Sequence, residues 1–348
     1  MPSRYEGVRS DIVGRLVARG GGATVQQLSE WGAEKRFITK MCADGTLLRV
    51  KRGYYALNGV VSSDHWQRLR SEHLRRVAAV TDGSTVAGFR SAALALGLPV
   101  SEIPDEPEVI RPPAMSSLLR TRTLRRSLTD EAVTSVNGVP VTSLARTAVD
   151  VALDLPTPEA LITVDAALRL GASKTLMLQT LSSLGSVHRS RTAKQTIGWA
   201  DPCSESALES RGRGELLIRG APRPMCNVSF RMDGTEFRVD KWWSVIGLVG
   251  EADGAVKYKG ALNARSLWGE KRRQDWFEEV VGLPVFRYID SEVRLTPLHF
   301  FERWRRKAER AATELWIPPD GLEIFPRPPP GSREPLVWLQ RRDGSTGQ

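Results

Sequence analysis

The first sixty residues are cut into short blocks by glycine, and the apolar spacing inside the blocks passes from helical to strand-like. Few folds accommodate that order. Val8, Ile12, Leu16 and Val17 fall at helical spacing, and Gly20-Gly21-Gly22 ends that block. Thr24 is a predicted N-cap for a short helix, Val25 to Trp31. After Gly32 a third helix is predicted over Glu34 to Ala43, closed by Gly45. Thr46 to Val50 and Tyr54 to Leu57 read as two strands joined by the basic turn Lys51-Arg52-Gly53. Three helices and a two-stranded wing make a winged helix-turn-helix, whose third helix enters the major groove while the wing meets phosphate or minor groove.

The charges suit that task. Between Glu34 and Tyr55, six cations (Lys35, Arg36, Lys40, Arg49, Lys51, Arg52) face only Glu34 and Asp44. Lys35, Arg36, Thr39 and Lys40, near the start of the third helix, are placed to reach base edges. A charged face used for docking a partner protein is the alternative reading. The whole chain carries a formal +10 over 348 residues, which favours a polyanionic partner, duplex DNA first. Three widely spaced cysteines (Cys42, Cys203, Cys226) offer neither a disulfide framework nor zinc spacing, and they fit a reducing cytoplasm. No apolar run approaches the ~20 residues of a membrane helix, and the N-terminus does not read as a signal peptide. Four scattered histidines and the absence of HExxH, nucleophile-elbow or P-loop strings leave common hydrolase and nucleotide-binding motifs without support.

Three further stretches follow. Residues 61–186 mix predicted helices (His65 to Val80, Ser91 to Leu96, Leu144 to Leu153, Pro158 to Leu170, Lys174 to Leu184) with short strands at Glu108 to Arg111 and Gly138 to Val141. Arg90, Arg146 and Asp150 sit within apolar helices there, and buried hydrogen bonding is their expected role. Arg120, Arg122, Arg125 and Arg126 form a basic cluster, either a further nucleic-acid surface or a solvated face. Residues 187–316 read as α-β-β-β-α-β: a helix over Ser204 to Arg219, strands over Asn227 to Arg231, Glu236 to Trp242 and Ile246 to Ala252, a long helix over Ala264 to Val281, and a strand over Pro284 to Ile289. A last helix covers Leu298 to Thr313. Residues 317–348 are proline-rich and polar, predicting an extended tail. The fold class expected is therefore α/β (α+β) and multidomain.

Asp240 and Glu251 end two neighbouring predicted strands. A hairpin about Trp243-Ser244 brings them side by side, and Asp253 follows Glu251 on the same strand face. Carboxylates converging at strand ends suit a hard cation, Mg²⁺ or Mn²⁺, of the kind that activates water against a phosphodiester. The same acids are equally readable as solvated turn residues, and Asp253-Gly254 is a turn dipeptide.

Two resemblances bear on these readings. Gly45-Thr46-Leu47-Leu48-Arg49-Val50-Lys51-Arg52-Gly53-Tyr54-Tyr55 resembles the end of the winged helix of AbiEi-type antitoxins, the regulators of type IV toxin–antitoxin pairs. Ser84 to Ala93 and Val139 to Asp150 resemble the second domain of that group. The resemblance covers about half the chain and implies promoter binding and a cognate toxin as partner. From Cys203 onward the chain resembles PD-(D/E)XK nucleases related to very-short-patch-repair endonucleases, through Glu209-Ser210-Arg211, Val239 to Trp243, Gly250 to Tyr258 and Glu270 to Asp275. The lysine two residues after the motif glutamate is replaced by Asp253. This resemblance implies Asp240 and Glu251 as metal ligands with Asp253 a third, and Glu209 holding a second ion or a water. Lys257 would stand in for the missing lysine, and Lys271, Arg272 and Arg273 would clamp substrate phosphates.

Overall fold

The computed structural model describes residues 4–18, 22–51, 53–57, 63–118, 120–253 and 271–326, a mixed α/β protein. The first module runs α1 (Arg4–Ala18), β1 (Gly22–Thr24), α2 (Val25–Glu30), α3 (Lys35–Ala43), β2 (Leu47–Lys51) and β3 (Tyr54–Leu57). Its small antiparallel sheet has the order β1-β3-β2. Thr24 caps α2 as its sequence position predicts. Its hydroxyl accepts the Gln27 amide at 3.1 Å while the Gln27 side chain accepts the Thr24 amide at 2.9 Å, a reciprocal capping box. Ile12, Leu16, Leu28, Phe37, Ile38 and Met41 fill the core. Val17, expected on the buried face of α1, is 57% exposed. It lies about 100° around the helix from Leu16, beyond the stripe that Ile12 and Leu16 define. The third strand, β1, is only three residues long, too short for an alternating pattern to announce it.

The middle module places α4 (Ser63–Val80), α5 (Phe89–Ala95), α6 (Leu144–Asp154), α7 (Thr157–Arg169), α8 (Lys174–Ser183) and α9 (Ser190–Trp199) around one apolar cluster. Beside them a mixed sheet joins β6 (Arg122–Arg125), β5 (Glu108–Arg111), β4 (Val86–Ala87), β8 (Val139–Thr142) and β7 (Val133–Val136) in that order. Sequence periodicity missed α9. Ala193 and Ile197 seat it among the middle helices, although the reading from sequence began the third module at residue 187. Arg90 donates to Glu108 at 2.7 Å and to Glu102 at 3.2 Å. Arg122, read as part of a basic surface, is spent on Glu108 and Asp154 and lies over the Phe89 ring.

Arg146 and Asp150 form a buried pair one turn apart on α6, at 2.9 Å. Burial pushes the Asp150 carboxyl up to about 6, with Arg146 pulling only part of the way back. Folded protein therefore holds a proton that the unfolded chain releases between about pH 4 and pH 6. The contribution of this group to stability falls by about 3 kcal/mol as pH rises through that window, and it stays lost above it. Denaturant titrations from pH 4 to 7 are expected to show that decline in wild type and not in Asp150→Asn. Parallel profiles would contradict it.

The third module opens with α10 (Ala207–Leu217), then β9 (Met225–Met232), β10 (Thr235–Trp243) and β11 (Leu248–Asp253), an antiparallel meander. Helix α11 is described over residues 271–281 and turns π-helical over Trp276–Val281. The rest of the long helix expected from Ala264 lies outside the described residues. Strand β12 (Val285–Ile289) then pairs parallel to β11, and α12 (Asp290–Leu295) and α13 (Pro297–Thr313) follow. Two glycines let α10 pack closely on both sides. A Cβ on Gly212 would stand 2.6 Å from the Tyr288 ring, and one on Gly214 would stand 2.7 Å from the Pro158 backbone. This close approach explains two residues that otherwise weaken a helix interior.

The proline-rich tail requires a correction. Its first part folds back as β13 (Glu323–Pro326), antiparallel to β9, completing the sheet order β12-β11-β10-β9-β13. Leu322 and Ile324 are buried there, and Pro326 ends the strand at the sheet edge, where a missing amide is tolerated. Among the described residues, no helix is long and apolar enough to cross a membrane.

Candidate functional site

The β10–β11 register pairs Lys241 with Gly250 and Trp243 with Leu248, and the turn spans residues 244–247 rather than Trp243-Ser244. One step further along that register sets Asp240 opposite Glu251. The ladder gives way there to a side-chain bond: Asp240 Oδ2 accepts the Ala252 amide at 2.7 Å. Val239 and Trp242, three residues apart, enter the same core cluster, so the two-residue alternation is interrupted between them. On β9, Asn227 lies between the partners of Val239 and Lys241 and has φ of 53°. Such local irregularities re-aim side chains at strand ends.

Glu209 enters from α10. Its Oε2 accepts the Glu205 amide at 2.9 Å and the Asn227 side-chain amide at 3.1 Å. Burial raises its pKa, the nearby Asp240 adds to that, and Lys241 opposes it. Lys241 is fully buried and donates to the Tyr288 hydroxyl. Burial, reinforced by Asp240 and Glu209, holds Tyr288 protonated. Lys241 and Tyr288 are not singled out by sequence reasoning, and Asn227 is read there as strand chemistry only. The signal for Lys241 was its place beside Asp240 in a strand otherwise apolar at that end.

Two of the acids are taken by arginines. Glu251 pairs with Arg273, and Asp253 accepts two bonds from Arg287, at 2.7 and 2.8 Å. Strand alternation sets Glu251 and Asp253 on the Val249 face, which packs with Phe277 of α11. Helix α10, carrying Glu209, touches Tyr288, which packs in the cluster of Leu248 and Phe300 on the opposite face. Among the described residues, no group of three or more His, Cys, Asp or Glu side chains is arranged to hold a metal ion. Of the expected set Asp240, Glu251 and Asp253, arginine nitrogens stand against Glu251 and Asp253 in this arrangement. Arg273, expected on phosphate, points inward to Glu251, while Lys271 and Arg272 remain exposed. Lys257 lies outside the described residues.

The α3 face of the first module is organised differently. Lys35, Arg36, Thr39 and Lys40 are all exposed on α3, opposite the buried Phe37, Ile38 and Met41. Arg36 reaches Glu34 at 2.9 Å, and Lys40 sits 3.9 Å from the centre of the Tyr5 ring. Neither contact withdraws the cation from solvent. Arg49 is exposed on β2, Lys51 ends that strand, and Arg52 lies outside the described residues.

No protein-family description matches the chain. Uncharacterized protein MT2308 of Mycobacterium tuberculosis (strain CDC 1551 / Oshkosh) is 29% identical over 184 residues, 51% of this chain and 64% of its own length. Uncharacterized protein Rv2248 of Mycobacterium tuberculosis (strain ATCC 25618 / H37Rv) matches with the same figures, so the chain spans less than two thirds of these relatives. Among solved structures, the crystal structure of the RV2827C protein from Mycobacterium tuberculosis is similar at a TM-score of 0.28 and 19% identity, over 64% of this chain and 84% of that one.

Proposed function

We propose that the protein binds duplex DNA through α3 and the β2–β3 wing, as a transcriptional regulator of the AbiEi antitoxin kind with a cognate toxin as partner. The observation that carries this reading is the exposed row Lys35, Arg36, Thr39 and Lys40, backed by a packed core and flanked by Arg49. A cationic helix presented in this way meets phosphate and base edges together. The experiment is duplex binding by the full chain over a salt series, with a variant carrying Lys35→Ala, Arg36→Ala and Lys40→Ala. Loss of affinity and of salt dependence in the variant supports the reading, and equal binding by both proteins removes it.

A second reading is favoured by the α-β-β-β-α-β order of the third module and by Asp240 and Glu251 lying one step beyond the last β10–β11 pair, Lys241 with Gly250. In it, this module is a PD-(D/E)XK-like endonuclease using Mg²⁺ or Mn²⁺. The arginines on Glu251 and Asp253 weigh toward the non-enzymatic reading. Calorimetric titration of Mg²⁺ onto wild type and Asp240→Asn separates the two. Binding lost in the variant supports the nuclease, and identical curves leave the regulator.

A further inference from the structure

A cavity of about 690 Å³ opens between α13, the β10–β11 turn at Gly247, the α11–β12 turn at Gly282 and Pro284, and residues 314–317. That volume lies within the range of about 300–1,000 Å³ usual for small-ligand sites. Arg303, Arg306, Lys307 and Arg310 line it, and their three- and four-residue steps stack them on one face of α13. Two of the four are already engaged. Arg303 pairs with Glu292, and Lys307 donates to the Val285 carbonyl at 2.6 Å. Arg306 and Arg310 are exposed and form no ion pair among the described residues.

The segment after α13 supplies the aromatic and aliphatic part of the lining, Leu315, Trp316 and Ile317. Trp316 donates its indole N–H to the Val281 carbonyl at 2.8 Å and meets Trp242 edge-on. Beside it Leu315 is 90% exposed and Ile317 67%. Glu278 and Glu314 are the acids of the lining, so cations outnumber them two to one. Free guanidinium groups and an aromatic and aliphatic segment lining one groove suit a ligand with one anionic end and one flat apolar end. Inorganic phosphate would use only one wall, and an uncharged aromatic only the other.

We propose that this groove binds a phosphate ester of an aromatic base, with Arg306 and Arg310 on the phosphate and the Trp316–Leu315 wall against the base. Guanidinium forks match phosphate oxygens in pairs, and aromatic side chains accept the face of any base. The groove is separate from the winged helix, so this inference stands apart from the duplex-binding reading.

Calorimetry on the full chain with adenosine 5′-monophosphate tests it, with adenosine and inorganic phosphate as half-ligands and a six-nucleotide thymidine strand as the polymeric source. Binding of the monophosphate is expected, with adenosine and phosphate each at least tenfold weaker. Arg306→Gln and Arg310→Gln, both at exposed positions, are each expected to weaken it about tenfold. The variant lacking Lys35, Arg36 and Lys40 should bind the monophosphate as wild type does. Tighter binding of the strand than of the monophosphate assigns the site to nucleic acid, and the reverse assigns it to free nucleotide. No binding of either, or wild-type binding by both Arg306→Gln and Arg310→Gln, overturns the proposal.

Discussion

Replacing Asp165 with alanine is expected to lower the unfolding free energy by about 3–5 kcal/mol, as expected when one member of a buried ion pair is removed. Asp165 on α7 and Arg213 on α10 are both 0% exposed, with 2.5 Å between Oδ2 and the guanidinium. The other carboxylate oxygen accepts the Asp201 amide at 2.8 Å, and Arg213 also donates to the Trp199 carbonyl. These bonds tie α7, α10 and the segment after α9 together where the middle and third modules meet. Without the carboxylate, the buried guanidinium loses its ion-pair partner and keeps only the weaker attraction of Asp201, beside the close Gly214–Pro158 approach. Asp165→Asn should be milder, because it keeps the acceptor for the Asp201 amide. Urea midpoints for the two variants decide this. A loss below about 1 kcal/mol for the alanine variant would show that water reaches Arg213.

The second large effect is on DNA. The variant with Lys35, Arg36 and Lys40 changed to alanine is expected to bind duplex about 100-fold more weakly than wild type. One arginine at a base edge is worth about 1–3 kcal/mol, and each lost phosphate contact lowers the log–log salt slope by roughly 0.9. The three side chains are exposed, so the core of Phe37, Ile38 and Met41 is untouched and the midpoint of thermal unfolding should hold. A shallower salt slope with an intact fold is the signature sought. An unchanged slope would mean that DNA, if bound, is held elsewhere.

How much of this was legible beforehand differs between the two ends of the chain. In the first module, glycine punctuation, the Thr24 cap and the placement of six cations are local features. They led to α2, α3, β2 and β3 within a residue or two. In the third module the elements were legible and their partners were not. Asp240, Glu251 and Asp253 were read as a convergent set because strand spacing allows it. That reading could not include Arg273 and Arg287, which lie 22 and 34 residues further along and take Glu251 and Asp253. The same blindness to distance hid β13, whose four residues are a strand only because β9 offers an unpaired edge.

The sequence by itself determined the local elements, the charge of the α3 face and the acids on β10 and β11, although Asp240 lies three residues inside β10 (Thr235–Trp243) rather than at its end. Each depends on residues within one or two turns or strand steps of one another, where backbone geometry sets what is near. The tertiary structure alone decided which cation meets which carboxylate, that Lys241 is buried against Tyr288, and that Arg306 and Arg310 line one groove with Trp316, without an ion pair among the described residues. Those outcomes turn on which faces pack together and which stay open to water. Burial and Coulomb attraction between residues far apart in the chain have no signature in local spacing.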